Sequence, residues 1–394
     1  MIAPGKIVFI VLDSLGIGAA PDAALYGDSG TNTLGNTANA VGGLHLPNLQ
    51  RLCLGNIAPI LGVSPSEKPE GCFGKMQEVS KGKDSTTGHW EISGIIITED
   101  FPYYPNGFPP EVIEKFISAT KMRGVLGNRP ASGTQIIEEL GDDHVCTGFP
   151  IVYTSGDSVF QIAAHEEVIP LNEQYKVCQI TRDEVMIGKH AVGRVIARPF
   201  LGTSGKYTRT ENRKDFSLQA PGTTVLDVLF KNQVSTVSIG KIDDLFSGRG
   251  LKNKIHTHSN AEGIEEIIKQ STLMKSGFIM TNLVDFDMLF GHRQDAKGMA
   301  AAIEYFDAQL PKIIETIHDG DILIMTADHG NDPTDNSTDH SREYVPLLTF
   351  MKNGKKGVNL GIRKTFADAG KTVAEYFHVD HKLPAGTSFL HLMI

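Results

Sequence analysis

The sequence predicts an α/β fold: a core with a largely parallel sheet flanked by helices, interrupted by an inserted α+β domain. Three observations carry that expectation. The apolar run Ile7-Val-Phe-Ile-Val-Leu12 stops abruptly at Asp13, as a buried strand does at a ligand-facing sheet edge. From residue 223 onward, short apolar runs alternate with stretches of helical periodicity, the βαβ grammar of a sheet covered on both faces. Between residues 101 and 217 that grammar disappears.

Taken in order, Ile7–Leu12 opens the core as a strand. It is too short for a signal-peptide apolar region and far too short to span a bilayer, so a cytoplasmic protein without membrane partners is expected. In the C-terminal half, Thr223–Lys231 reads as a helix and Ser235–Ile239 as a strand. Ala261–Leu273 reads as a helix with Asn260 as its N-cap. Phe278–Val284, Asp321–Met325 and Val345–Met351 read as strands, Asp295–Ile317 and Thr365–Phe377 as helices. The middle opens on the Pro-rich Phe101–Pro110 and closes on the polar, basic Lys206–Lys214. Between these linkers lie a helical segment, Gly133–Leu140, and two β-rich runs, Ile151–Ala163 and Val192–Pro199. The expected division is a core of residues 1–100 and 218–394 with an insert of 101–217, and 394 residues exceed the roughly 150 typical of one domain.

With 40% hydrophobic and 21% charged residues the composition is that of an ordinary globular protein. A net charge of -9 argues against nucleic acid as a partner, though local cations or metals can still receive a phosphorylated substrate. Cys53, Cys72, Cys146 and Cys178 form no CxxC and lie far apart, which suits reduced, mostly packed thiols.

Acids and imidazoles collect at the ends of the expected strands. Asp13 follows the first, Asp285 and Asp287 follow Phe278–Val284 with His292 beyond them, and Asp328-His329 follows Asp321–Met325. Asp339-His340 repeats the acid–imidazole pair in the next loop. Any one of these alone reads as a helix cap or a turn residue. Strand ends of a parallel sheet converge in space, however, and mixed carboxylate and imidazole donors suit Zn, Mn and related divalent ions. One acid from each of three strand ends, with three imidazoles, is enough for two metals sharing a site, the arrangement that supports phosphoryl transfer.

A nucleophile candidate lies in Lys81-Gly-Lys-Asp-Ser-Thr-Thr-Gly-His-Trp-Glu91, just before an expected short helix. Ser85 or Thr86 there either caps the helix or serves as an attacking hydroxyl activated by a metal at the helix N-terminus. Cations appear in Val192-Gly-Arg-Val-Ile-Ala-Arg-Pro199, with Arg194 and Arg198, in Tyr207–Arg213, with Arg209 and Arg213, and at Lys241. Arginine there suits bidentate phosphate contact. Asp157 either accepts sugar hydroxyls or stabilises a turn.

Several of these segments, in the same order, resemble the phosphopentomutases of the prokaryotic type, within the alkaline phosphatase superfamily. They are Asp13–Gly18, Gly82–Glu91, Asn282–His292, Thr326–Asp332 and Thr338–His340, joined by Val152–Val159, Gly193–Pro199 and Gly386–Leu390. The resemblance runs nearly end to end. It implies an alkaline-phosphatase-like core with a cap domain, and interconversion of ribose 1-phosphate and ribose 5-phosphate or their 2-deoxy counterparts. It also implies two Mn²⁺ ions, a phosphorylated enzyme and a sugar bisphosphate as primer. By motif position, Asp13, Asp328 and His329 would hold one metal beside the nucleophile, and Asp287, His292 and His340 the other. Asp157, Arg194, Arg209 and Lys241 would contact the pentose phosphate. Where the family commonly carries threonine as nucleophile, the spacing to Gly88-His-Trp-Glu91 places Ser85, with Thr86 as the fallback.

These readings together give a phosphopentomutase-type isomerase, expected as a monomer, in which a mobile cap keeps water from the phosphoenzyme. A cofactor-independent phosphoglycerate mutase or a metallophosphatase of the same superfamily shares the metal chemistry. A metal-bound binding protein without turnover is the alternative from another class.

Overall fold

The computed structural model describes residues 5–99, 101–155, 158–379 and 382–394. The chain divides into two compact units, Met1–Glu99 with Ala220–Ile394, and Asp100–Gln219. Strands β1 (Lys6–Leu12) and β2 (Cys72–Met76) precede the second unit. Within it lie β3 (Leu126–Pro130), β4 (Ile151–Thr154), β5 (Val159–His165), β6 (Arg194–Leu201), β7 (Thr208–Arg209) and β8 (Lys214–Ser217). After it come β9 (Thr236–Ile239), β10 (Asn253–Ile255), β11 (Gly277–Leu283), β12 (Ile322–Thr326), β13 (Val345–Phe350) and β14 (Asn359–Arg363).

The first unit is built on an eight-stranded sheet in the order β10-β9-β11-β1-β12-β13-β2-β14. The strand read first from the sequence lies at its centre, buried along all seven residues and parallel to β11 and β12. Its register pairs Leu12 with Leu283 and Val11 with Thr326, so three strands end side by side and Asp13, Asp285, Asp287 and Asp328 leave the sheet at one edge. At the opposite end, Lys6 Nζ donates to Asp321 Oδ2 at 2.6 Å, both side chains buried, which ties β1 to the residue that precedes β12.

The expected α/β class is the one observed, with a correction in the sheet. β13 runs antiparallel to both β12 and β2. No helix separates β12 from β13, so the chain re-enters the sheet at the end it left. A second correction concerns the helix Asn260–Leu273. Ser259 is its N-cap, accepting from Glu262 N at 3.2 Å. Asn260 instead exchanges hydrogen bonds with Asp285, Asp285 Oδ2 accepting from Asn260 N and Asn260 Oδ1 from Asp285 N. That pairing binds the helix start to the site edge of β11.

The second unit has a mixed six-stranded sheet, order β3-β4-β5-β6-β7 with β8 also on β6. The run Ile151–Ala163 is two antiparallel strands, β4 and β5, where one β-rich stretch was expected. Alternation along β4 splits the core, Ile151 and Tyr153 packing with Ile136 and Phe200 on one face and Val152 with Phe116 and Phe160 on the other. The helix expected over Gly133–Leu140 continues to Thr147. β2 and the helices Pro110–Thr120 and Leu171–Ile180 were not evident from the sequence. Among the described residues no helix is long and apolar enough to cross a membrane, and Cys53, Cys72, Cys146 and Cys178 are free thiols.

Candidate active site

Helix Ser85–Ile92 is capped by Asp84, whose Oδ1 accepts from Thr86 N at 2.9 Å and Thr87 N at 3.2 Å. A carboxylate cap satisfies the first amides of the helix, so neither Ser85 nor Thr86 is needed for that purpose. Ser85 becomes the first helical residue and its Oγ lies 3.0 Å from His329 Nε2. The helix approaches the 327–332 loop closely because residue 88 is glycine: a Cβ there would stand 2.1 Å from the Asp328 carbonyl oxygen.

Around Ser85 the strand-end residues form two overlapping groups. Asp13, Asp328 and His329 offer ligand atoms within 4.8 Å of one another, and so do Asp287, His329 and His340. His329 Nε2 lies 3.3 Å from Asp13 Oδ1 and 3.4 Å from Asp328 Oδ2. Asp287 faces His292 Nε2 at 3.1 Å and His340 Nε2 at 3.6 Å. The His329 and His340 rings are 4.2 Å apart, the His292 and His340 rings 4.8 Å. The six residues named from the motifs are thus adjacent, with one difference in grouping. His329 completes the Asp287–His340 set, while His292 is joined to it through Asp287. Asp339 is largely exposed and serves the turn, accepting from His340 N at 2.9 Å and standing 3.6 Å from Lys83 Nζ.

The donors fit divalent metal. Asp13 Oδ1 and Asp328 Oδ2 are buried acceptors without a hydrogen bond, although imidazole nitrogens stand within 3.4 Å of each. Burial raises the Asp13 carboxyl, and neighbouring Asp328 raises it further, more than the adjacent His329 lowers it, the sign of crowded acids. His329 sits well above the usual imidazole range because Asp328 and Asp13 outweigh its burial. The bond to Asp287 lifts His292 to about 9, and His292 and His340 hold Asp287 below the ordinary carboxylate range against its burial. A cation among these oxygens and ring nitrogens would take the place of the shared protons.

Residues not foreseen from the sequence hold this arrangement. His89, one helical turn after Ser85, lies 2.8 Å from the Ser85 carbonyl through Nδ1 and 3.0 Å from Asp328 Oδ2. Its spacing within Gly88-His-Trp-Glu91 was a legible signal. Arg342 had none. Its guanidinium is buried, donates to the carbonyls of Glu78, Ser80 and Gly82, and pairs with Glu78 and Asp22. It thereby braces the strand of chain leading to Ser85. Glu343 is equally buried and accepts from Thr33 N, Thr33 Oγ1, Gly18 N and Ser341 Oγ.

Lys241 is exposed in the turn after β9. Arg194 opens β6 in the second unit, 3.5 Å from Asp215, and Arg209 is exposed on β7. Arg198 donates to Gln161 Oε1 at 3.0 Å, and Arg213 pairs with Asp215 at 2.7 Å. Asp157 falls outside the described residues.

Comparison with known proteins matches residues 5–381 to the model of the Metalloenzyme superfamily. The phosphopentomutase of Dictyoglomus turgidum is 55% identical over 386 residues, 98% of this chain and 97% of its own. That of Dictyoglomus thermophilum is 56% identical over 385 residues, with the same coverage. A solved structure of a Pyrococcus horikoshii protein shares the fold at 14% identity, with a TM-score of 0.50 over 98% of this chain and all of that one. Identity above one half, along nearly the full length of both sequences, places the chain among the phosphopentomutases, a family of isomerases.

Proposed function

We propose that the chain interconverts ribose 1-phosphate and ribose 5-phosphate, and the corresponding 2-deoxy sugars, by phosphoryl transfer through Ser85 at a two-metal site. The observation that carries this reading is the Ser85 hydroxyl, released from helix capping by Asp84 and held 3.0 Å from His329 inside a cluster of buried acids and imidazoles.

Phospho-Ser85 would give its phosphoryl group to a pentose monophosphate. The serine–phosphate bond breaks, a bond forms to the free sugar hydroxyl, and the released serine oxygen takes the proton that hydroxyl loses. The resulting bisphosphate would reorient and return its other phosphate to Ser85. Asp13, Asp328 and His329 would hold one metal, and Asp287, His292 and His340 the second; bound there, the metals would neutralise charge on the transferring group. The donor set admits Mn²⁺ alongside other divalent ions, and Mn²⁺ is the ion the family resemblance favours. Asp84 keeps the nucleophile at the helix N-terminus, where a phosphoserine meets the positive end of the helix dipole. Asp157, Arg194, Arg209 and Lys241 are assigned to the pentose phosphate.

The test incubates the protein with Mn²⁺, a sugar bisphosphate primer and ribose 5-phosphate, and follows ribose 1-phosphate. Isomer exchange with little free phosphate is expected. Abundant phosphate without the isomer would replace the mutase with a metallophosphatase.

A further inference from the structure

We infer that two buried asparagines, Asn282 and Asn331, are positioning residues, each setting the carboxylate of a different metal half-site; the inference rests on the two-metal reading above. Asn282 lies next to the end of β11 and is 1% exposed. Its Nδ2 donates to Asp13 Oδ2 at 2.8 Å and lies 3.3 Å from His89 Nε2. Asn331, fully buried two residues after His329, donates through Nδ2 to Asp287 Oδ1 at 2.8 Å. Its amide is also 3.3 Å from His292 Nδ1, but that nitrogen lies closer, at 2.6 Å, to the Thr338 carbonyl, so the Asp287 bond is the one the amide makes.

The two sites are built alike. Each asparagine donates to one oxygen of its aspartate while the other faces an imidazole, Asp13 Oδ1 at 3.3 Å from His329 Nε2 and Asp287 Oδ2 at 3.1 Å from His292 Nε2; Asp287 Oδ1, which accepts from Asn331, also stands 3.6 Å from His340 Nε2. Each is itself anchored. Asn282 is fixed by its strand, and Asn331 by its backbone N–H, which lies 3.0 Å from Thr33 Oγ1 and 3.2 Å from the Ser14 carbonyl. Thr33 is held in turn by Glu343.

Neither asparagine is a fully satisfied core amide. Asn282 Oδ1 and Asn331 Oδ1 are both buried with no hydrogen-bond partner among the described residues. Stability alone favours an apolar isostere over an amide with an orphaned acceptor. What an amide adds is a donor without charge. It orients a carboxylate as lysine or arginine would, yet brings no positive charge to compete with a metal ion. Partners of this kind, one bond behind the ligands, typically govern metal affinity by 10- to 100-fold, about the effect sought here.

The experiment titrates metal-stripped protein with Mn²⁺, reading bound metal by equilibrium dialysis and its environment by electron paramagnetic resonance. Asn282→Leu and Asn331→Leu remove the donor while keeping the branching of the side chain. Each is expected to weaken one of two bound equivalents by about 10- to 100-fold and leave the other within about twofold. Assignment comes from an Asp13→Asn background, in which Asn282→Leu adds no further loss while Asn331→Leu still does. Circular dichroism checks folding, and Asn→Ala replaces a leucine variant that fails. The inference is overturned if both leucine variants bind both equivalents like the wild type, or both weaken the same equivalent. Wild-type binding of fewer than two ions overturns it together with the two-metal reading. Isomer exchange is assayed in parallel: the expected binding pattern without exchange leaves the positioning roles standing and removes the mutase, whereas exchange with unaltered binding removes the positioning roles alone.

Discussion

Charge is handled differently in the buried acid–imidazole cluster of the first unit and in the exposed Arg–Asp pair of the second, although the second also buries Arg182 against the carbonyls of Met186 and Val192. In the first, Asp13, Asp328, Asp287 and His329 are each 8% exposed or less, and Glu78 and Arg342 face each other at 2% and 1%. In the second, Arg213 and Asp215 pair with side chains 43% and 27% exposed, and Arg209 stands in solvent. A charge taken out of water requires its opposite in a fixed place, so the first unit has its geometry set before any ligand arrives. A charge left in water contributes little to folding and remains available to a ligand. Preorganisation thus belongs to the buried cluster, and availability to exposed groups such as Arg209.

Ser85→Ala leaves the buried acids and imidazoles in place but removes the proposed nucleophile, and the mutase rate should fall by about 10⁴-fold or more. A steady-state assay showing a loss under about tenfold would shift the role to Thr86.

Arg342→Met should be the most damaging substitution for stability. It strands the Glu78 carboxylate in the core and releases the carbonyls of Glu78, Ser80 and Gly82, a loss of about 3–5 kcal/mol in urea unfolding. A change below about 1 kcal/mol would show that the buried pair is not the brace it resembles.

Glu343 makes the stability of the buried region depend on pH. Burial pushes its carboxyl up to about 7, against four kinds of donor that favour the charge. A carboxyl raised in the folded state from an ordinary 4.5 stabilises the fold fully below pH 4.5, and that contribution is lost as pH rises through about 7. Between those limits wild type should lose about 3 kcal/mol relative to Glu343→Gln in metal-free protein. Parallel stability curves for the two proteins would mean that the donors hold Glu343 ionised throughout.

The smallest effect on folding belongs to the exposed side. Arg209→Ala should change unfolding free energy by less than about 0.5 kcal/mol, yet raise KM for ribose 5-phosphate about tenfold. An unchanged KM would remove Arg209 from the substrate contacts.

Much of the site was legible in order but not in detail. Asp13, Asp287 and Asp328 could be read as strand-end acids because apolar runs stop sharply before them, and a parallel sheet brings such ends together. Asp84 as the cap, and hence the freedom of Ser85, was not legible, since Asp, Ser and Thr all cap well and only backbone geometry selects among them. Arg342 and Glu343 follow His340 in a loop without periodicity, where nothing local distinguishes a buried charge from a solvated one. The antiparallel β13 was hidden for a similar reason, because a buried strand reads the same in either direction.

The central strand, the α/β class and the acids and imidazoles available to a metal are all written locally, in the alternation between apolar runs and polar ends. Which oxygen of Asp13 accepts from Asn282, and which of Asp287 from Asn331, follows instead from the packing of distant segments. That choice depends on contacts between residues 269 and 44 positions apart in the chain, and no local pattern records a distance fixed by the packing of the whole core.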